Sequence, residues 1–92
     1  MKSILSTEKR CYLCGGTVNI EEHHIYFGNG LRNKSERHGF KCFLCEFHHR
    51  DQKHGVHGNR QIDLQLKQDC QREFEKTHSH EEFMKIIKRN YL

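Results

Sequence analysis

The apolar positions of this chain fall into a few short patterns separated by polar stretches. Thr17-Val18-Asn19-Ile20 alternates and is β-branched, which predicts a strand leading into Glu21-Glu22-His23-His24-Ile25. Phe40-Lys41-Cys42-Phe43-Leu44 predicts a second strand, paired with the first. Between them, Tyr26 to Gly39 is polar, contains Gly28-Asn29-Gly30 and reads as a long loop. Cys45 to Lys53 reads as a short helix or turn, stopped by Gly55 and Gly58. Further on, Ile62, Leu66, Cys70 and Phe74 recur every fourth residue, the stripe of an amphipathic helix. Ser79 with Glu82 offers a capping box for a last helix that packs Phe83, Ile86 and Ile87. The expected class is therefore α+β, with a two-stranded antiparallel hairpin, a short helix and C-terminal helices. There is no proline and no internal repeat, and Met1 to Arg10 is a polar lead-in.

Composition changes this picture in one respect. A chain of 92 residues, 34% of them hydrophobic and none Trp, buries too little apolar surface to rely on a core alone. One domain over residues 1–92 is expected, and it needs a staple. Five Cys and nine His are available for one. Met1-Lys2-Ser3-Ile4-Leu5-Ser6 has no apolar run of signal-peptide length, and no segment approaches a membrane span. The expected compartment is the cytoplasm, where thiols stay reduced and clustered Cys read as metal ligands. A formal charge of +4, with 16 Lys and Arg, suits a polyanionic partner.

Cys11-Tyr12-Leu13-Cys14-Gly15-Gly16 has the form of a zinc knuckle, residues 11–16, with glycines relieving the turn beneath two thiolates. Cys45 and His48 repeat the two-residue spacing, so Cys11, Cys14, Cys45 and His48 can close a tetrahedral structural Zn²⁺ site. Its binding energy would become folding energy. A second arrangement pairs Cys42 with Cys45 in a four-Cys site. Against it, Cys42 shares a strand face with Phe40 and Leu44, where a thiol behaves as a small hydrophobe. Cys70 lies in the helix stripe and is expected in the core.

The adjacent pairs His23-His24 and His48-His49 carry the remaining chemistry. Neighbours on a strand point to opposite faces, so one of His23 and His24 can ligate a metal while the other faces an adjoining site as a base. His48 turns to the zinc, and His49 to the other side.

These residues resemble the HNH (His-Me finger, ββα-metal) nucleases, and in particular the small HNH proteins of phages and prophages. The pattern is Cys11-x-x-Cys14, then Glu22-His23-His24-Ile25, then Leu44-Cys45-x-x-His48-His49, continuing to Gly55-Val56-His57-Gly58. The likeness covers about residues 11 to 58. It implies a zinc-stapled ββα-metal core over about 17–58, followed by a helical part over about 60–92. It implies hydrolysis of DNA phosphodiester bonds with His24 as general base and one catalytic divalent ion, Mg²⁺, Mn²⁺, Ni²⁺ or Zn²⁺. His23 and His49 would be ligands of that ion, with His57 or His54 a third. Spacing favours His57, which Gly55 and Gly58 can fold back, whereas a continued helix aims His54 away. The resemblance also implies a bacterial host cell and a phage or prophage gene, with a homodimer or partner protein for targeting.

The sequence departs from the family where Asn usually precedes the second strand and tethers the loop bearing the base. The region here reads Glu36-Arg37-His38-Gly39-Phe40, leaving His38, Asn33 or a backbone contact to replace the tether. Glu21 and Glu22 are candidates for orienting His23. Arg32, Lys34 and Arg37 are candidates for phosphate contacts. His78 and His80 flank the last helix cap and are expected at the surface. A non-catalytic zinc-stabilised nucleic-acid-binding or adaptor module of the same fold is the alternative, and it has no need for converging imidazoles. A C₂H₂ finger is a poor fit, because 30 residues separate Cys14 from Cys45 where such a finger has about twelve.

Overall fold

The two strands meet as expected, but later along the chain than the alternation suggested. In the computed structural model, which describes residues 1–92, β1 spans Ile20–His24 and β2 spans Lys41–Cys45. They are antiparallel, with His23 opposite Cys42, Glu21 opposite Leu44 and His24 opposite Lys41. Thr17 to Asn19 lie outside the strand, because Asn19 takes a left-handed backbone (φ 51°) that no strand accommodates.

The segment read as a long loop is only partly one. Leu31–His38 forms a helix, α1, between the strands. It buries Ser35 alone, so its sequence carries almost no apolar stripe. What holds it is tertiary. Ser35 Oγ donates to the Tyr26 carbonyl at 2.6 Å and accepts from the Tyr26 N–H at 3.2 Å. Lys34 Nζ donates to the Ile86 carbonyl at 3.0 Å. Gly39 ends α1 in the left-handed region (φ 75°), with the Phe40 N–H returning to the Ser35 carbonyl at 2.9 Å. That reversal delivers Phe40 into the core.

Three further helices follow: α2 over Glu46–Arg50, α3 over Arg60–Glu75 and α4 over His80–Ile87. Cys45 caps α2, its Sγ accepting from the His48 N–H, and Asn59 caps α3. Ser79 caps α4 by accepting from the Glu82 N–H at 3.1 Å. One face of the hairpin, with Cys42, Leu44 and the flanking Ile25 and Phe40, packs on Leu66, Cys70 and Phe74 of α3 and on Phe83 and Ile87 of α4. Tyr26 stands fully buried among Phe40, Phe83 and Tyr91, its hydroxyl donating to the Lys67 carbonyl at 2.7 Å. Only 20 of 92 residues are buried, so this core is small, and of residues 1–19 it buries Cys11 alone. No helix is long and apolar enough to cross a membrane.

Candidate metal centres and the histidine cleft

The knuckle is built by its own backbone. The Cys11 N–H donates to the Gly16 carbonyl at 2.9 Å and the Gly15 N–H to the Cys11 carbonyl at 2.8 Å, with Gly15 at φ 76°. The Tyr12 N–H donates to the Phe43 carbonyl at 2.8 Å, which docks the knuckle on β2. Cys11, Cys14, Cys45 and His48 thereby converge, and this Cys₃His group can hold a structural metal such as zinc. An ion about 2.3 Å from sulfur and about 2.0 Å from nitrogen spaces its tetrahedral ligands by about 3.8 Å (S to S) and about 3.5 Å (S to N). Cys14 Sγ lies 3.9 Å from Cys45 Sγ, and His48 Nδ1 lies 3.7 Å from Cys11 Sγ and 3.2 Å from Cys45 Sγ. The donor set fits. Burial raises the Cys11 thiol, but hydrogen bonding with the backbone at Cys45, Cys14 and Leu13 outweighs it and leaves the group lowered to about 6, toward the thiolate a metal needs. Cys42 is fully buried in the core and outside this group, and burial pushes its thiol up to about 12. Cys70 is also core.

A second convergence lies on the other side of α2. His23, His49 and His57 present ligand atoms to one another, with His49 Nε2 and His57 Nε2 3.1 Å apart. Their ring centroids lie 4.8–5.2 Å from one another. Gly55 and Gly58 make the return of His57 feasible: a Cβ on Gly55 would sit 2.5 Å from the Asp51 backbone nitrogen, and one on Gly58 would sit 2.4 Å from the Gln52 carbonyl oxygen. The Val56 N–H then donates to the His48 carbonyl at 2.8 Å, and His57 faces His49. His54 does not join them. It stacks on Phe47 and pairs with Asp51 at 3.0 Å.

His23 is 2% exposed, and its Nε2 is buried with no hydrogen-bond partner. Burial, then the neighbouring His49 and His57, holds its pKa down to about 3, which favours the neutral ring. Burial likewise lowers His57. Two imidazole nitrogens on one ion at about 2.0–2.1 Å lie about 3 Å apart, the separation seen between His49 and His57. Glu21 accepts from His49 Nδ1 at 2.6 Å, the arrangement that turns Nε2 of a metal-binding imidazole toward its ion. Glu21 thus orients His49 rather than His23, since its carboxylate reaches across to α2, where Arg50 Nε also donates to it at 2.9 Å. His23, His49 and His57 thus form a group whose ligand atoms could hold a metal ion.

His24 points to the opposite face of β1, as strand geometry requires. Its Nε2 lies 2.9 Å from Glu36 Oε1, and Lys41 Nζ lies 2.7 Å from Glu36 Oε2 and 3.5 Å from Glu22 Oε2. Glu22 therefore serves this face and not His23. Neither expected tether reaches His24: Asn33 is exposed on α1, and His38 stacks on Phe40 with centroids 5.6 Å apart. The side chain that meets the His24 ring is that of Glu36. The bracketing glycines at 30 and 39, just wide enough for two helical turns, were the available signal for α1 and hence for Glu36.

Both faces open onto one cleft of about 220 Å³ lined by Glu22, His23, His24, Phe27, Arg32, His49 and His57. Arg32 stands at its rim from the first turn of α1. Arg37 is exposed further along that helix, while Lys34 is engaged with Ile86. His78 and His80 are exposed. A roomier cleft of about 680 Å³ runs along the outer side of the staple past Val18 and Phe47, away from the converging imidazoles. Compared with protein-family models, with curated proteins and with solved structures, the chain has no match.

Proposed function

We propose that this chain is a metal-dependent endonuclease of the HNH type, a zinc-stapled ββα-metal domain that hydrolyses phosphodiester bonds in DNA. The observation that carries the reading is the convergence of His23, His49 and His57 around an unpartnered buried nitrogen, with His24 on the other strand face of the same cleft. A purely structural or nucleic-acid-binding module has no use for that arrangement, because burying an unsatisfied imidazole is costly.

The roles follow from the side chains. His24 takes the proton of a water molecule as its oxygen attacks phosphorus, and the imidazolium formed returns the proton to solvent. The 3′ oxygen leaves with the bonding pair. Arg32, at the rim, is suited to neutralise a non-bridging phosphate oxygen. His23, His49 and His57 would hold the catalytic ion, with Glu21 orienting His49. When bound, a divalent ion supplies Lewis-acid polarisation of the phosphate and stabilises the leaving oxygen. The Cys₃His group would tie the knuckle to the start of α2, where His49, the residue after His48, lines the cleft.

The test is incubation with supercoiled plasmid, with and without Mg²⁺, Mn²⁺, Ni²⁺ or Zn²⁺, beside His24→Ala. Expected is metal-dependent nicking that falls by a factor on the order of 10²–10⁴ in the variant, at unchanged zinc content. A folded, zinc-loaded wild type that cuts neither DNA nor RNA with any of these ions overturns the reading in favour of a binding or adaptor module. A His24→Ala protein that cuts like the wild type removes His24 from the role of base.

A further inference from the structure

The face of β1 opposite the three-histidine cluster holds a second arrangement. The Glu36 carboxylate accepts from Lys41 Nζ at 2.7 Å and from His24 Nε2 at 2.9 Å, and the N-terminal ammonium forms a looser ion pair with it at 3.5 Å. Lys41 is the cross-strand partner of His24 and is 7% exposed, with its ammonium held against Glu36 and Glu22. Glu22, His24 and Glu36 have the spacing of a cation site, yet the Lys41 ammonium already stands between the two carboxylates. The group is a lysine-clamped carboxylate aimed at an imidazole.

We propose that Glu36 is the positioning residue of His24: it fixes the ring as the Nε2–H tautomer and leaves Nδ1 as the atom that accepts a proton. The inference rests on the nuclease reading for its catalytic consequence. A carboxylate can only accept hydrogen bonds, so the ring nitrogen 2.9 Å from it must carry hydrogen. Lys41, then His24, keeps Glu36 ionised, with its pKa lowered to about 2. In a neutral ring the remaining lone pair is then on Nδ1. As Nδ1 gains the proton of the attacking water, the ring becomes cationic beside a fixed anion, which is the orienting logic of any carboxylate–histidine pair. Exposed ion pairs add little stability, so the consequence lies in ring orientation more than in folding. This answers the departure in the sequence, where no Asn stands before β2: the tether comes from α1, one helical turn earlier.

The test combines ring-nitrogen NMR of ¹⁵N-histidine-labelled, zinc-loaded protein at about pH 8, above the ordinary imidazole range, with plasmid-nicking kinetics. Wild type is expected to show His24 as a single Nε2–H tautomer. Glu36→Ala is expected to show mixed tautomers and a kcat lower by roughly 10–100-fold, with KM changed less than about twofold. In Glu36→Gln, of the same size, the amide can face Nε2 with oxygen or nitrogen, so the tautomers mix and kcat falls by about 3–10-fold. The Gln variant carries the test if the Ala variant does not fold. A wild-type His24 protonated on Nδ1, or a variant with wild-type kcat, overturns the proposal. If the wild type cuts nothing, the nuclease reading fails, while the tautomer measurement still decides the His24–Glu36 pairing.

Discussion

Replacing His23 with leucine tests whether the three-histidine cluster exists to hold a metal. His23 is packed edge-on against Phe27, His49 and His57, with centroids 6.0, 5.2 and 5.1 Å away, and Nε2 has no partner. A buried unsatisfied polar group costs about 1–3 kcal/mol. Leucine removes that cost and, being of similar volume, loses less than about 1.5 kcal/mol in packing. With the staple loaded and no further metal, His23→Leu is therefore expected to lie between about 0.5 kcal/mol less stable and about 3 kcal/mol more stable than the wild type. Added Ni²⁺ or Mn²⁺ at about 100 times its Kd should stabilise the wild type by about 2.7 kcal/mol and the variant far less. Urea denaturation with and without the added ion, with zinc content measured throughout, reads both effects. An equal response of the two proteins to the ion would refute the metal reading of this cluster.

The same substitution carries a pH signature. Burial holds His23 near 3 in the fold against an ordinary value of 6.5, so between those limits the unfolded chain binds one more proton than the folded one. The contribution of neutral His23 is whole above pH 6.5 and is lost as pH falls through the window, at about 1.4 kcal/mol per unit. The wild type without added metal should show this slope and His23→Leu should lack it. Superimposable pH profiles would show that another group controls acid unfolding.

Two further substitutions separate the roles of neighbouring residues. Cys14→Ser should lose zinc and unfold the chain, whereas Cys42→Ala should keep full zinc content and lose about 1 kcal/mol through a small core cavity; zinc loss in the latter would restore the four-Cys alternative. Glu21→Ala should weaken metal binding at the three-histidine cluster by about 10–100-fold while leaving the staple loaded, read by calorimetric titration with Ni²⁺. An unchanged affinity would show that His49 needs no orienting carboxylate.

Where sequence reasoning succeeded, the governing physics was local. Cys11-x-x-Cys14 and Cys45-x-x-His48 place two donors on one turn by spacing alone, and the structure brings all four within 4.8 Å. The period of two in a strand sent His23 and His24 to opposite faces without any knowledge of the partner strand. The fourfold repeat of Ile62, Leu66, Cys70 and Phe74 is a helix stripe whatever covers it, and α3 contains all four.

Where it failed, the deciding contacts were distant in sequence. α1 has no apolar face to announce it; Ser35 on Tyr26 and Lys34 on the end of α4 hold it in place. With α1 read as loop, Glu36 could not be aimed at His24, twelve residues away. The sequence leaves Glu21 a candidate partner of His23 on the same strand, because nothing in the order of residues says that α2 folds back to bring His49, 28 residues on, within 2.6 Å of it. The sequence by itself determined which side chains could bind metal and which face each histidine of a pair would take, because those properties depend on residue type and backbone period. Only the tertiary structure decided which carboxylate serves which imidazole, because a hydrogen bond between elements depends on how they pack, and packing is not periodic.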